Sequence, residues 1–410
     1  MRCLAILICV LYFIPSYGKT IVVGPGLPVS SIKQGIAQAK EKDSLLIKKG
    51  VYREGSIVLS KSITLIGENF PILDGEHKYE ILLISGNNIC IKGLIFRNAG
   101  YSAMNDFAAV KLVDCSFITI ESNTIQNAYF AIHISNSSNV TVRNNRISGS
   151  PLSEQLTGNG IHLWKSRDAL IENNYVSGHR DGIYFEFVTS TVIRNNLSEK
   201  NIRYGLHFMF SNDDVYQDNT FRNNGAGVAV MYSKKVRMER NHFEENWGPS
   251  SYGILLKDIT DSYIIQNQFL KNTVGIHMEG SSRIDIQKNL FKQNGWAIKV
   301  QASCDDNIFH SNNFSSNSFD VSTNGTLVLN TFINNYWDKY EGYDMNKDGI
   351  GDIPYHPVSM YSMIVEANPT TLLLFRSFTI SMLDKAEKMI PGFTPENLKD
   401  DNPMMKFIKL

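Results

Sequence analysis

The run Asn219-Thr220-Phe221-Arg222-Asn223-Asn224-Gly225-Ala226-Gly227-Val228-Ala229-Val230-Met231 is answered 22 residues later by Asn241-His242-Phe243-Glu244-Glu245-Asn246. Outward from this pair the same asparagine recurs at Asn123, Asn145, Asn174, Asn196, Asn219, Asn241, Asn267, Asn289 and Asn312, in steps of 22, 29, 22, 23, 22, 26, 22 and 23. A second series lies five residues further on, at Asn201, Asn224, Asn246, Asn272, Asn294 and Asn317. Between the two series sit apolar residues such as Ile125, Ile147, Leu197, Phe221, Phe243, Phe269, Leu290 and Phe314. A column of small residues (Ala131, Gly160, Gly182, Gly205, Gly227, Gly253, Gly275) opens a strand of alternating aliphatics, and runs such as Asn139-Val140-Thr141-Val142 supply another. Each unit thus holds about three short period-2 strands separated by Asn/Gly/Ser turns.

A period near 22 is too short for a helical pair and suits one coil of a parallel β-helix. No coil can bury its own apolar face, so stacking supplies the core. Asparagine suits the corners because it tolerates left-handed backbone and bonds to its equivalent in the next coil. The expected fold is all-β: a right-handed single-stranded parallel β-helix of about ten coils. The longer steps mark loops near 150–158 and 247–251. Ser31-Ile32-Lys33-Gln34 reads as a capping box opening a helix through about Lys42, which would close the first coil.

The expected organisation is a signal peptide over 1–18, a cap and first coils over 19–80, β-helix repeats over 81–335, an Asp-rich loop and end cap over 336–366, and an amphipathic, partly helical tail over 367–410. The leader rests on Arg2, the apolar run Leu4–Ile14 and the small-x-small site Ser16-Tyr17-Gly18. That run is too short to span a bilayer core of roughly 30 Å, so cleavage and a periplasmic location are expected. With 40 Lys+Arg against 40 Asp+Glu and no basic stripe, nothing points to nucleic acid. Beyond the leader, Cys90, Cys115 and Cys304 are odd in number and far apart, so no disulfide framework is expected.

β-Helices often cleave or epimerise polysaccharides, which requires carboxylates clustered on one sheet. Asp213-Asp214 and Asp305-Asp306 are adjacent pairs in turns, and neighbours on a strand point to opposite faces. Asp181 and Glu186 lie nearby, so an exported polysaccharide lyase, hydrolase or epimerase stays as the alternative to a non-enzymatic docking protein. In Gly205-Leu206-His207-Phe208-Met209-Phe210, alternation puts Leu206, Phe208 and Phe210 inside and His207 and Met209 outside. Met231 falls one coil on from Met209, about 4.8 Å away. His207, Met209 and Met231 therefore form a candidate Cu(I) relay, thioether and imidazole being suitable donors, with an apolar contact patch as the plain alternative. Asp344, Asn346, Asp348 and Asp352 follow the beginning of a calcium loop, D-x-N-x-D-G, without the closing Glu, so a structural Ca2+ or an ion-free Asx turn are both open. In the tail, Leu372, Phe375, Met382 and Leu383 are candidate partner-docking residues on an amphipathic helix.

The runs Arg180-Asp181-Gly182-Ile183-Tyr184-Phe185-Glu186-Phe187, Tyr204-Gly205-Leu206-His207-Phe208-Met209-Phe210-Ser211-Asn212-Asp213, Ala229-Val230-Met231-Tyr232-Ser233 and Asn335-Tyr336-Trp337-Asp338 resemble the NosD family of exported accessory proteins for nitrous oxide reductase maturation. The resemblance covers nearly all of the chain after the leader. It implies a periplasmic subunit without catalysis of its own, seated on an ABC-type complex with the permease NosY and the ATPase NosF. With the chaperone NosL, that complex would deliver copper to the reductase NosZ.

Overall fold

The computed structural model describes residues 18–410 apart from 103, 151–153, 155–156, 326–328 and 390–397. The leader expected over 1–18 lies, but for its last residue, outside the described residues. Three parallel sheets wind around one core. The first has 14 strands, from Thr20–Val23 to Leu329–Ile333; the second has 12, from Ile57–Leu59 to Phe319–Ser322; the third has 13, from Val51–Tyr52 to Tyr336–Trp337. The winding is right-handed and comprises about thirteen coils rather than the ten expected.

Asparagine fixes the coil-to-coil register. At every rung from Asn123 to Asn312 the backbone N–H and the side-chain Nδ2 both donate to Oδ1 of the next asparagine, at 2.8–3.2 Å. Nδ2 also donates back to a carbonyl of the preceding coil, as Asn241 does to Tyr216 at 2.9 Å. Buried turn amides thereby find partners that no sheet ladder could give them. Behind this ladder runs a stack of rings, Phe221, Phe243, Phe269, Phe291, Phe314 and Trp337, with centroids 4.0–5.5 Å apart. The register corrects two members of the apolar column: Ser198 and Phe291 face the core, while Leu197 and Leu290 are each displaced one residue toward the surface. The small-residue column is set by close approach. A Cβ on Gly253 would lie 2.6 Å from the Gly275 carbonyl and 2.8 Å from the Phe269 ring.

Both ends are closed. Helix α1 (Ile32–Gln38), shorter than expected, lays Ile32 and Ile36 on the first coil. Its first N–H groups donate to the Glu54 carboxylate at 2.7 and 2.9 Å, and Lys61 donates to the carbonyls of Ile36, Ala37 and Ala39. The next coil thus satisfies both helix termini. At the far end, helix α2 (Met360–Ala367), a 3-10 turn (Pro369–Leu374) and helix α3 (Phe378–Met389) pack through Tyr361, Val365 and Ile380 against Phe319. The asparagine ladder ends on Asp400. Its Oδ2 accepts from Asn335 N (2.9 Å), Asn335 Nδ2 (3.0 Å) and Trp337 Nε1 (3.1 Å), and Oδ1 accepts from Asn334 N and Asn402 N, both at 3.1 Å.

Candidate functional site

The outward face of the second sheet carries the chemistry, because parallel pairing places one residue type above another. In one column His133, His162, Tyr184 and His207 are successive register partners. Two residues along, Trp164, Glu186, Met209 and Met231 form a parallel column. Met209 and Met231 are therefore direct neighbours and half-buried. His207, on the same strand face as Met209, lies deeper than alternation alone implies, only 4% exposed. Tyr204 packs against it at 4.8 Å and Tyr184 at 5.0 Å.

Asp181 anchors this column from below. It is fully buried, with Oδ2 3.5 Å from Nδ1 of His207 and 3.7 Å from Arg180, and Oδ1 3.7 Å from Arg203. The carboxylate orients the imbedded imidazole with Nδ1–H toward itself, which leaves Nε2 of His207 without a partner. Around His133 and His162 the face is drier still. Burial pushes the His133 imidazole down to about 4, against a small opposing pull from Asp106, and lowers His162 well below its ordinary value. Both are neutral donors at pH 7.

The next residue along is a corner, and here the expectation for Phe210 is overturned. Phe187, Phe210 and Tyr232 stand in left-handed backbone (φ 55, 51 and 53) and are 46%, 40% and 42% exposed. Their rings stack on one another at 5.2 and 5.0 Å. Alternation fails at a corner, where the chain turns and the side chain swings outward. Other coils place Asp114, Asn136, Asp258 and Gly280 in left-handed conformation at corners of this sheet. Bulky aromatics are uncommon in left-handed backbone, and Phe70 and Phe117 adopt it at other turns of this chain. A polar groove of about 380 Å³ adjoins them, lined by Asn136, Ser138, Lys165, Arg167, Phe187 and Thr189.

The remaining candidates separate. In the Asp-rich loop, Asp344 accepts from the N–H groups of Lys347, Asp348 and Gly349, Asp348 from Ile350 and Asp352 from Met345, while Asn346 bonds Asp348. These oxygens close an Asx turn on the backbone, and among the described residues no group of three or more His, Cys, Asp and Glu is placed to hold a metal ion. In the tail, Phe375 and Leu383 turn inward onto the Phe319 cluster, whereas Leu372 and Met382 are exposed. The more exposed Leu373 (91%) and Phe378 (79%) extend that outer patch and were not singled out from sequence. Asp213 stands exposed at a corner; Asp214 is buried, accepts from Thr191 N at 2.8 Å, and is lifted well above the usual carboxylate range by burial. The two carboxylates share no open space.

Fold and face together define a parallel β-helix protein with a histidine–methionine stripe beside an exposed aromatic corner. The sequence matches the family described as "Periplasmic copper-binding protein (NosD)" over residues 147–348, and "Right handed beta helix region" over 74–176. It is 28% identical over 375 residues to a Stutzerimonas stutzeri protein named "Probable ABC transporter binding protein NosD", covering 86% of this chain and 85% of that one. A Pseudomonas aeruginosa protein of the same name is 27% identical, covering 86% of each. By these matches the chain is similar to the NosD family. Among solved structures, the catalytic domain of a GH87 α-1,3-glucanase matches with TM-score 0.58 at 13% identity (79% of this chain, 70% of that one). A family 28 exopolygalacturonase from Yersinia enterocolitica matches with TM-score 0.51 at 12% identity (77% and 78%). At such identities the likeness is one of fold alone. No helix of the described residues is long and apolar enough to cross a membrane.

Proposed function

We propose that this chain is the periplasmic, non-enzymatic docking subunit of an ABC-type complex, seated on NosY and NosF, and that it supports copper transfer from NosL to the reductase NosZ. The observation that carries this reading is the Met209–Met231 pair, in register and beside three aromatics held outward in left-handed backbone. A rigid sheet presents two methionines on adjacent strands, whose backbones lie about 4.8 Å apart, at the rim of an apolar patch, which suits brief contact with a soft ion between docked proteins. His207, with Nε2 unpartnered on the same strand, stands behind them as a third donor. The relatives' names as transporter binding proteins and the family's description as periplasmic and copper-binding support the same reading. At the C-terminal end of the solenoid, Leu372, Leu373, Phe378 and Met382 form the surface through which the chain grips its membrane partner.

The test is the copper content of the reductase matured in cells carrying Met209→Leu/Met231→Leu. Leucine keeps volume and apolarity, so folding is preserved and only the donors are lost. The reading expects reductase made in normal amount and short of copper. Full copper loading in the double variant would refute the relay.

A further inference from the structure

Two and three coils before His207, on the same face, lies a second set of donors that the relay does not use. The rings of His133 and His162 are 4.7 Å apart at 56°, and Phe130 covers both edge-on, at 5.3 and 5.2 Å. All three are largely buried. Nδ1 of His133 and Nε2 of His162 are both buried without a hydrogen-bond partner. Native interiors satisfy such atoms, so an orphaned pair on adjacent rings calls for a reason.

The surroundings set each proton. Nε2 of His133 faces the Asp106 carboxylate at 3.9 Å, which favours the proton on Nε2 and leaves the lone pair on Nδ1. The Asn159 amide lies 3.4 Å from Nδ1 of His162, and Oδ1 of Asn159 is itself buried and unpartnered. As placed, Nδ2 of Asn159 faces that nitrogen; turning the amide over lets Oδ1 accept from Nδ1–H and bares the lone pair on Nε2. Each imidazole is then engaged at one nitrogen, with Nδ1 of His133 and Nε2 of His162 free, as metal-ligating histidines are.

We propose that His133 and His162 together bind one Cu(I) ion between Nδ1 of the first and Nε2 of the second. Two neutral nitrogens in a dry, phenylalanine-covered space suit a monovalent d10 ion that accepts two donors. They fail a divalent one: Zn2+ takes four ligands and Ca2+ six or more oxygens. Asp106 is mostly exposed, and Asp181 is engaged by Arg180, Arg203 and His207. Tyr184 stands between this site and His207 in the same column, so the ion here is held apart from the methionine pair. The assignment rests on the imidazoles and is independent of the relay.

The mature chain is titrated anaerobically with Cu(I) against a competing chelator, in unsubstituted form and as His133→Gln/His162→Gln and Met209→Leu/Met231→Leu. Circular dichroism melts establish that each variant folds. The expected result is one equivalent lost, or weakened at least tenfold, in the histidine variant and kept in the methionine variant. Equal binding by the unsubstituted chain and the histidine variant overturns the site, and binding lost only in the methionine variant overturns it while leaving the relay standing. Should the histidine variant misfold, long-range 1H–15N spectra of the unsubstituted chain with Ag(I) decide. Shifts at Nδ1 of His133 and Nε2 of His162 support the site, and unmoved nitrogens on both rings refute it.

Discussion

Asp400 takes the place of the asparagine that a further coil would have supplied, and replacing it tests whether the ladder is stabilised from its end. In Asp400→Ala, three buried donors (Asn335 N, Asn335 Nδ2 and Trp337 Nε1) lose an acceptor at 2.9–3.1 Å. Nδ2 of Asn335 keeps its bond to the Phe309 carbonyl, and the amides of Asn334 and Asn402 sit closer to solvent. An unsatisfied buried donor costs about 1–3 kcal/mol, and partial entry of water brings the total for three to about 4 kcal/mol. Asp400→Asn keeps one oxygen for those donors and copies every other rung, so its cost is about 1 kcal/mol. In a solenoid the loss is local, because each coil contacts only its neighbours. Hydrogen exchange read by mass spectrometry should therefore show protection falling roughly a thousandfold in 329–337 and 398–405 for the alanine variant. It should fall less than tenfold in the asparagine variant and remain unchanged around Asn219–Asn267. Equal behaviour of the two variants, or protection lost evenly along the whole ladder, would refute the idea that Asp400 acts as a terminal rung.

Phe210→Asn should leave stability unchanged or raise it by up to about 1 kcal/mol, since asparagine tolerates left-handed backbone, yet weaken capture of the partner proteins; thermal melts and co-purification check the two halves. His133 and His179, each held down at about 4 by burial, stay neutral in the folded chain while the unfolded chain takes up a proton below about 6.5. Unfolding thus binds protons between about pH 6.5 and 4, and stability should fall across that window as pH drops, by up to ~3 kcal/mol per histidine. Urea melts at stepped pH should show a shallower slope in His179→Gln. Gly253→Ala should cost about 3 kcal/mol, because its Cβ would meet the Gly275 backbone at 2.6 Å, and a lowered melting temperature reports it. Leu373→Asp/Phe378→Asp should leave melting unchanged while abolishing association with the membrane partner in detergent pull-downs.

The fold was legible because the asparagine rung must bond to its own kind, so its spacing is written directly in the chain. Coils were undercounted where that mark is missing: the strands from Thr20 to Arg97 precede Asn123, the first rung of the asparagine ladder. Ser198 was misread because a small polar residue occupies the apolar column there, where it donates to the Gly205 carbonyl at 2.8 Å. The methionine pair followed from period and alternation. The histidine pair did not, because its burial depends on Phe130 and Asn159 folding over the face, which spacing does not encode. Asp400 stands 65 residues beyond Asn335, and nothing local announces the contact.

The stacked coils also make the molecule a lever. Between the coil bearing Phe210 and the one bearing Phe319, on which α2 packs, lie five steps of the second sheet, about 24 Å at roughly 4.8 Å each. Continuous ladders and ring stacks leave no hinge along that length. A tilt of roughly 10° imposed at the helical end would sweep the aromatic corner through about 4 Å, close to one coil spacing. A small rotation of whatever holds Leu373 and Phe378 would thus displace anything docked at Phe210 by the distance separating Met209 from Met231.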